Sequence, residues 1–129
     1  MAQPALLRYP GSKWTLAPKI VSMFGPHYHY VEPYFGSGAV FFNKEPSRHE
    51  VINDVDGDVV NFWKTLRDNT EELVWKIEAT PWARDELAAA REPTNDPVEA
   101  ARRFAVRAWQ SRASDQSKNV GWRYRGAKQ

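Results

Sequence analysis

The stretch 30-YVEPYFGSGAVFFN-43, Tyr30 to Asn43, decides the fold. A short apolar run meets Pro33, an aromatic pair and Gly36-Ser37-Gly38, and then becomes apolar again. The first run reads as a strand ending at Pro33, and "GAVFFNK" reads as the first turns of a helix after the glycines. Glycines at such a junction admit positive φ and let the backbone come close to a ligand, while a helix start offers free N–H groups. Downstream, "EVIND" supplies a second short strand. Strand, glycine turn, helix and strand in that order make a βαβ unit with a parallel pair. Upstream, "SKWTLAPKIVSMF" has helical apolar spacing, with Pro18 marking where the regular helix starts.

Beyond residue 54 the pattern turns helical. Val55, Val59, Phe62, Trp63 and Leu66 fall on one stripe. A second helix is expected in "NTEELVWKIEAT", capped by Asn69 or Thr70. A third is expected in "TPWARDELAAARE", with Thr80 as cap and Pro81 in the first turn, and a fourth in "DPVEAARRFAVRAWQ", with Asp96 as cap and Pro97 after it. The last buries Val98, Ala101, Phe104, Ala105 and Trp109. The expected division is a front half, 1–68, and a helical segment with a basic end, 69–129.

At 129 residues and 14.9 kDa, with 42% hydrophobic residues, the chain is one domain or part of one. It has no cysteine, which excludes disulfides and thiolate metal sites and suits a reducing cytoplasm. No run approaches the roughly 18 apolar residues of a membrane span, so a soluble, cytoplasmic protein with no membrane partner is expected. The net charge of +2 conceals an acid-rich front and a basic end: Arg102, Arg103, Arg107, Arg112, Lys118, Arg123, Arg125 and Lys128 face Asp115 alone. Such an end is either a solvated tail or a polyanion-binding face. Trp122 and Tyr124, interleaved with arginines, favour the second, because aromatic rings stack on bases while guanidinium groups take phosphate.

The glycine turn does not fit the common nucleotide motifs. A dinucleotide fingerprint needs a glycine where Phe41 stands, and "YPGSKWT" contains Gly11, Ser12 and Lys13 but not the Gly-x-x-x-x-Gly-Lys pattern of a phosphate loop. Asp54 ends the second strand, where a carboxylate can accept both hydroxyls of a ribose; it could equally cap a helix beginning at Val55. His27 and His29 lack further ligands at metal spacing and read as a loop and a strand entry, so no metal site is expected. No serine sits in a nucleophile motif.

Together, "LLRYPGSKWTL", "YVEPYFGSGAVFF" and "VINDVDGDVVNFWKTLRD" resemble the amino-terminal part of the Dam-type, or D12-class, DNA adenine N6-methyltransferases. The resemblance implies an α/β fold, a partial Rossmann-like S-adenosylmethionine-dependent methyltransferase domain followed by helices of a DNA-recognition domain. It implies that Tyr9, Pro10, Gly11 and Lys13 lie against S-adenosylmethionine, and that Glu32, Pro33, Phe35, Gly36 and Gly38 form the loop on its methionine side. Asp54 would bind the ribose and Val55 would border the adenine. An aromatic slot with a carboxylate nearby suits a sulfonium ligand, and Tyr9, Glu32, Tyr34 and Phe35 supply those types; Tyr34 and Phe35 also fit ordinary core packing. In the basic end, Arg112, Lys118, Arg123 and Arg125 become candidates for phosphate contact on double-stranded DNA, with Trp122 or Tyr124 touching bases.

The family's Asp-Pro-Pro-Tyr segment, which holds the target amine and stacks on the flipped base, has no counterpart: no two of the nine prolines are adjacent. No catalytic residue is assigned. Either the chain is the front portion of a methyltransferase, inactive alone, or it is a non-catalytic module that binds DNA, the methyl donor or a partner protein. A sheet cut at this point leaves an open edge, so a second chain or self-association is expected to cover it.

Overall fold

The computed structural model describes residues 4–112, 116 and 120–124. The chain divides into two compact units, Met1–Gly57 and Asp58–Gln129.

In the first unit, β1 (His29–Glu32) and β2 (His49–Ile52) pair in parallel, with His29 opposite His49 and Glu32 opposite Ile52. Main-chain bonding continues past the strands, from Asn53 N–H to the Glu32 carbonyl and from Phe35 N–H to the Asn53 carbonyl, both at 2.9 Å. This extension carries the glycine turn onto the end of β2. Before β1 stands the short α1 (Ala17–Val21), which contacts the single 3-10 turn Phe41–Asn43.

That turn is all that forms of the helix expected in "GAVFFNK". Lys44 leaves it in extended conformation, and its ammonium is drawn to Glu50 and Ser47 and lies 4.4 Å from the Tyr30 ring centroid. With only 2% of the Lys44 side chain exposed, these partners supply what solvent does not, and the chain turns away to meet them. The α/β character is therefore a parallel strand pair with short helical pieces. The buried residues of this unit include Leu7, Ala17, Phe35 and Ala39.

The second unit is helical: α2 (Gly57–Asp68), α3 (Thr70–Glu78), α4 (Arg84–Ala89) and α5 (Pro97–Gln110). By its contacts α2 belongs here, although the sequence groups it with the front half. Its buried stripe carries Val59 and Phe62, while Val55 lies outside the helix and is 90% exposed. The centre of the unit is α5, which packs on α3 and α4; Ala101, Phe104, Ala105, Val106 and Ala108 are buried, and the Phe104 ring lies 5.7 Å from that of Phe62.

The cap of α5 forms as expected, with the Asp96 carboxylate accepting from Val98 and Glu99 N–H and Pro97 in the first turn. The expected cap of α4 does not. The Thr80 hydroxyl donates to the Lys76 carbonyl at the end of α3 and accepts from Arg102, and α4 begins only at Arg84. The Ala83 N–H just before it is taken by Gln110 Oε1 at 3.2 Å, a tertiary bond in place of a local cap. Asn69 precedes α3 without a side-chain capping bond.

Among the described residues no helix is long and apolar enough to cross a membrane.

Glu99, in the first turn of α5, accepts from Arg102 at 2.7 Å and from Arg103 at 2.8 Å, and these bonds hold its carboxyl down at about 2. A lowered folded-state value means that the stabilisation is complete above the ordinary carboxylate value of 4.5 and is lost as pH falls from there toward 2. Urea unfolding across pH 2–7 is expected to show this loss, and Glu99→Gln to flatten that limb while lowering stability at pH 7 by roughly 1–3 kcal/mol through the poorly paired arginines.

Candidate cofactor site in the first unit

The glycine turn is held in place by a carboxylate. Gly36 adopts φ +49° and Gly38 φ +68°, the left-handed region that disfavours a side chain. The Gly36 N–H donates to Asp54 Oδ2 at 2.8 Å, and the Asp56 N–H donates to Oδ1 of the same carboxylate at 2.9 Å. Asp54 thus ties the turn after β1 to the turn that follows β2. No helix begins at Val55 for Asp54 to cap: α2 begins at Gly57, and the Asp54–Asp56 bond makes a turn before it. Each carboxylate oxygen of Asp54 keeps a second lone pair, so the capacity for a further donor is not exhausted.

A second segment closes on the same turn. "YPGSK" makes its own turn, with Ser12 N–H bonded to the Tyr9 carbonyl at 3.0 Å and Gly11 at φ +75°. The Ser12 and Ser37 hydroxyls lie 2.7 Å apart and join the two turns. The Tyr9 ring lies over Gly36, where an added Cβ would meet its Cδ1 at 3.2 Å. The Tyr9 hydroxyl donates to Asp56 Oδ2 at 3.3 Å; burial, followed by the charges of Asp56 and Asp54, pushes its pKa up to about 12. Tyr9 therefore stays a neutral donor throughout the physiological range.

Between these turns is a cavity of about 450 Å³. Of the expected cofactor residues, Tyr9, Pro10, Gly11, Lys13, Glu32, Phe35, Gly36 and Asp54 line it. Pro33, Gly38 and Val55 do not. Gly38 is buried and serves packing: a Cβ there would lie 2.6 Å from the Phe42 ring and 2.8 Å from that of Phe35. Tyr34 lines the cavity but is 82% exposed, whereas Phe35 is buried. Ser12, Ser37, Ala39 and Val40 also line it, and Asp56 supports it through Tyr9. None of the five was singled out from the sequence, although Ser12 and Ser37 lie inside the two turns that were; their place beside Gly11 and Gly36 was the available signal, and Ala39, Val40 and Asp56 had none.

The polar groups are few and directed. Burial raises the Glu32 carboxyl above its ordinary value, partly offset by the Tyr30 hydroxyl, which donates to it at 2.6 Å, and by the Phe41 N–H. The Lys13 ammonium bonds the Gly11 carbonyl. An apolar and aromatic wall with two carboxylates and one ammonium can hold a small ligand that carries both an amino and a carboxylate group. His27 stands apart from the cavity. Its Nδ1 donates to the Gly25 carbonyl at 2.8 Å, and its Nε2 lies 2.9 Å from the Ser47 hydroxyl.

In the second unit, Arg112, Trp122, Arg123 and Tyr124 lie where the chain folds back on the end of α5. Ser111 and Trp122 form an antiparallel bridge, flanked by bonds from Arg112 N–H to the Gly121 carbonyl and from Arg123 N–H to the Gln110 carbonyl. The Arg123 guanidinium sits 5.5 Å from the Trp82 ring, and Tyr124 is 77% exposed. Lys118 and Arg125 lie outside the described residues.

A family model for D12 class N6 adenine-specific DNA methyltransferases matches residues 9–127. The type II methyltransferase M1.LlaDCHI of Lactococcus lactis subsp. cremoris is 37% identical over 71 residues, covering 50% of this chain and 25% of that protein. A DNA adenine methylase of Vibrio cholerae serotype O1 is 32% identical over 80 residues, covering 62% of this chain and 28% of the relative. The DNA N-6-adenine-methyltransferase of Escherichia phage P1 is 30% identical over 70 residues, 9% of its length. The chain thus spans about a quarter of the first two relatives.

The packing at Gly38 gives a direct test of the turn. Gly38→Ala is expected to cost roughly 2–4 kcal/mol in urea unfolding, combining a left-handed alanine with overpacking of Phe35 and Phe42. Ser37→Ala, which removes one hydroxyl from the Ser12 pair, is expected to cost about 1 kcal/mol.

Proposed function

The chain belongs to the D12 class of N6 adenine-specific DNA methyltransferases, and from that premise we propose that its first unit is an S-adenosylmethionine-binding half-site that does not transfer methyl groups by itself. The observation that carries the reading is the double use of Asp54, whose carboxylate fixes the glycine turn and lines the cavity facing Tyr9.

The residues fit the ligand class. Tyr9 and Phe35 give the aromatic wall that a sulfonium centre favours. In this reading Glu32 would accept from the amino group, Lys13 would pair with the ligand carboxylate, and Asp54 would accept from a ribose hydroxyl on its remaining lone pairs. Gly36 keeps the cradle open, since any side chain there would press on Tyr9. S-adenosylmethionine, when bound, supplies an electrophilic methyl group. What these residues do is orient it and exclude water from one side.

Turnover requires groups that this sequence lacks. An adenine amine is a poor nucleophile and must be flipped out and held, the task of the absent Asp-Pro-Pro-Tyr segment. The proposed partner is accordingly a polypeptide segment that brings that motif together with further strands. β2 is exposed at all four positions, with Val51 57% exposed beside Val31 of β1 at 64%, and parallel sheets normally have both faces covered. The second unit is proposed to contact double-stranded DNA through the basic end.

Calorimetric titration of S-adenosylmethionine into the chain is expected to give saturable binding. Asp54→Asn should weaken it about 10–100-fold, the loss of one or two charge-assisted hydrogen bonds. A folded chain that binds none overturns the cofactor reading. Methyl transfer to adenine in duplex DNA by this chain alone would refute the proposed inactivity.

A further inference from the structure

The basic end is not uniformly free to bind an anion. Arg102 is spent on Glu99 and Glu86, and Arg103 on Glu99 and the Glu92 carbonyl. Arg107 is spent on Asp58 at 3.0 Å and on the Ala90 carbonyl at 2.6 Å. The cavity that Arg103 and Arg107 line with Arg91 is walled also by Asp58 and Glu92, and so is neutralised from within.

Arg91 lines a second cavity as well, of about 420 Å³, and there the balance differs. Arg84, at the start of α4, Arg91, just beyond its end, and Arg112, just after α5, line it with Trp122, and among the described residues no carboxylate does. Among the described residues, none of these three guanidinium groups has an acidic partner. Arg91 donates to the Val120 carbonyl, yet its Nε, like the indole Nε1 of Trp122, is buried without an acceptor. Arg84 lies 5.4 Å from the Trp122 ring, and the Arg112–Gly121 main-chain bond holds the far wall. The site has a surplus of donors and positive charge and a shortage of acceptors.

We infer that Arg84, Arg91, Arg112 and Trp122 form a site for one phosphodiester group of a DNA strand. A phosphodiester sets two charged and two ester oxygens tetrahedrally about phosphorus, so three guanidinium groups can approach it from different sides, whereas the two oxygens of a carboxylate lie in one plane. The exposed Tyr124, 6.2 Å from Trp122, gives a base a surface beside the phosphate. The phosphate chemistry stands on these residues alone; its source in DNA rests on the family reading above. Arg84 and Arg91 lie outside the basic end and would be overlooked in any count of its charge.

The test uses the full chain in two arms. In the first, inorganic phosphate is titrated while the arginine Nε–H and Trp122 Nε1–H signals are followed by ¹H–¹⁵N NMR. Saturable shifts at Arg84, Arg91, Arg112 and Trp122 are expected, and they should vanish in the double variant Arg84→Gln, Arg112→Gln, whose altered side chains are both exposed. Unsaturable shifts, or shifts unchanged in the variant, overturn the site. In the second arm, duplex oligonucleotide binding is measured by fluorescence anisotropy at several salt concentrations. The variant is expected to flatten the slope of log K against log salt by about 1, as for one lost phosphate contact, with S-adenosylmethionine affinity unchanged. A variant with the wild-type slope and affinity overturns the DNA assignment. Saturable phosphate binding by a wild-type chain that binds no duplex overturns it too, by failure of the DNA reading, and leaves a free-phosphate site.

Discussion

The carboxylate of Asp54 is the constraint on which the first unit turns. It accepts from Gly36 on one oxygen and from Asp56 on the other, and so fastens the segment leaving β1 to the segment leaving β2. With the Phe35–Asn53 main-chain bond beside it, the parallel register is carried beyond the strands into the turns. A single charged group thereby fixes two loops whose glycines have little preference of their own. Tyr9 is then held between that junction and Asp56, and its ring is the lid under which Gly36 must stay bare.

The two units are stabilised by different means. The helical unit buries aromatic and small apolar residues along α5 and adds a network of arginines around Glu99, Glu86 and Asp58. The strand unit buries much less and depends on specific polar ties: Lys44 with Glu50, Tyr30 with Glu32, Ser12 with Ser37. Polar ties of this kind define a unique arrangement of loops while contributing modest net stability.

Local chemistry was legible in the sequence wherever it was decided locally. Each strand, the glycines that follow the first and the Asp96 cap are written in short stretches of sequence, and the parallel pair, the turn and the cap were read correctly, although the strands pair at a distance, His29 with His49. What escaped was decided at a distance. Thr80 and Pro81 have the composition of a helix start, but Arg102 and the end of α3 claim the threonine, and Gln110 claims the N–H before α4. "GAVFFNK" has helical spacing, but Lys44 is drawn out of it by Glu50 on the neighbouring strand. Val55 has the right period for the α2 stripe, yet the Asp54–Asp56 turn delays the helix by two residues. In the candidate site, the residues expected at the cavity came from the resemblance to the family, while Ser12, Ser37 and Asp56 were not singled out, because their roles exist only once the two turns meet. The charge of the basic end was visible as a sum, but its distribution into paired and unpaired arginines depends on packing between α4 and α5.

Parallel strands cannot be joined by a tight turn, and the chain between β1 and β2 is here also a wall of the cavity. The crossover supplies one wall of the cavity, and the Tyr9–Lys13 turn with Glu32 and Asp54 supplies the rest. Whatever settles in the cavity therefore grips the connection that makes the strands parallel, and its binding energy is delivered to the cohesion of the sheet itself. By linkage, the stability of this unit would report the ligand directly, rising with the logarithm of its concentration once that exceeds the dissociation constant. Conversely, any loosening of the strand pair is felt at once as a loss of shape in the cavity, so affinity and folding in this unit cannot be tuned separately.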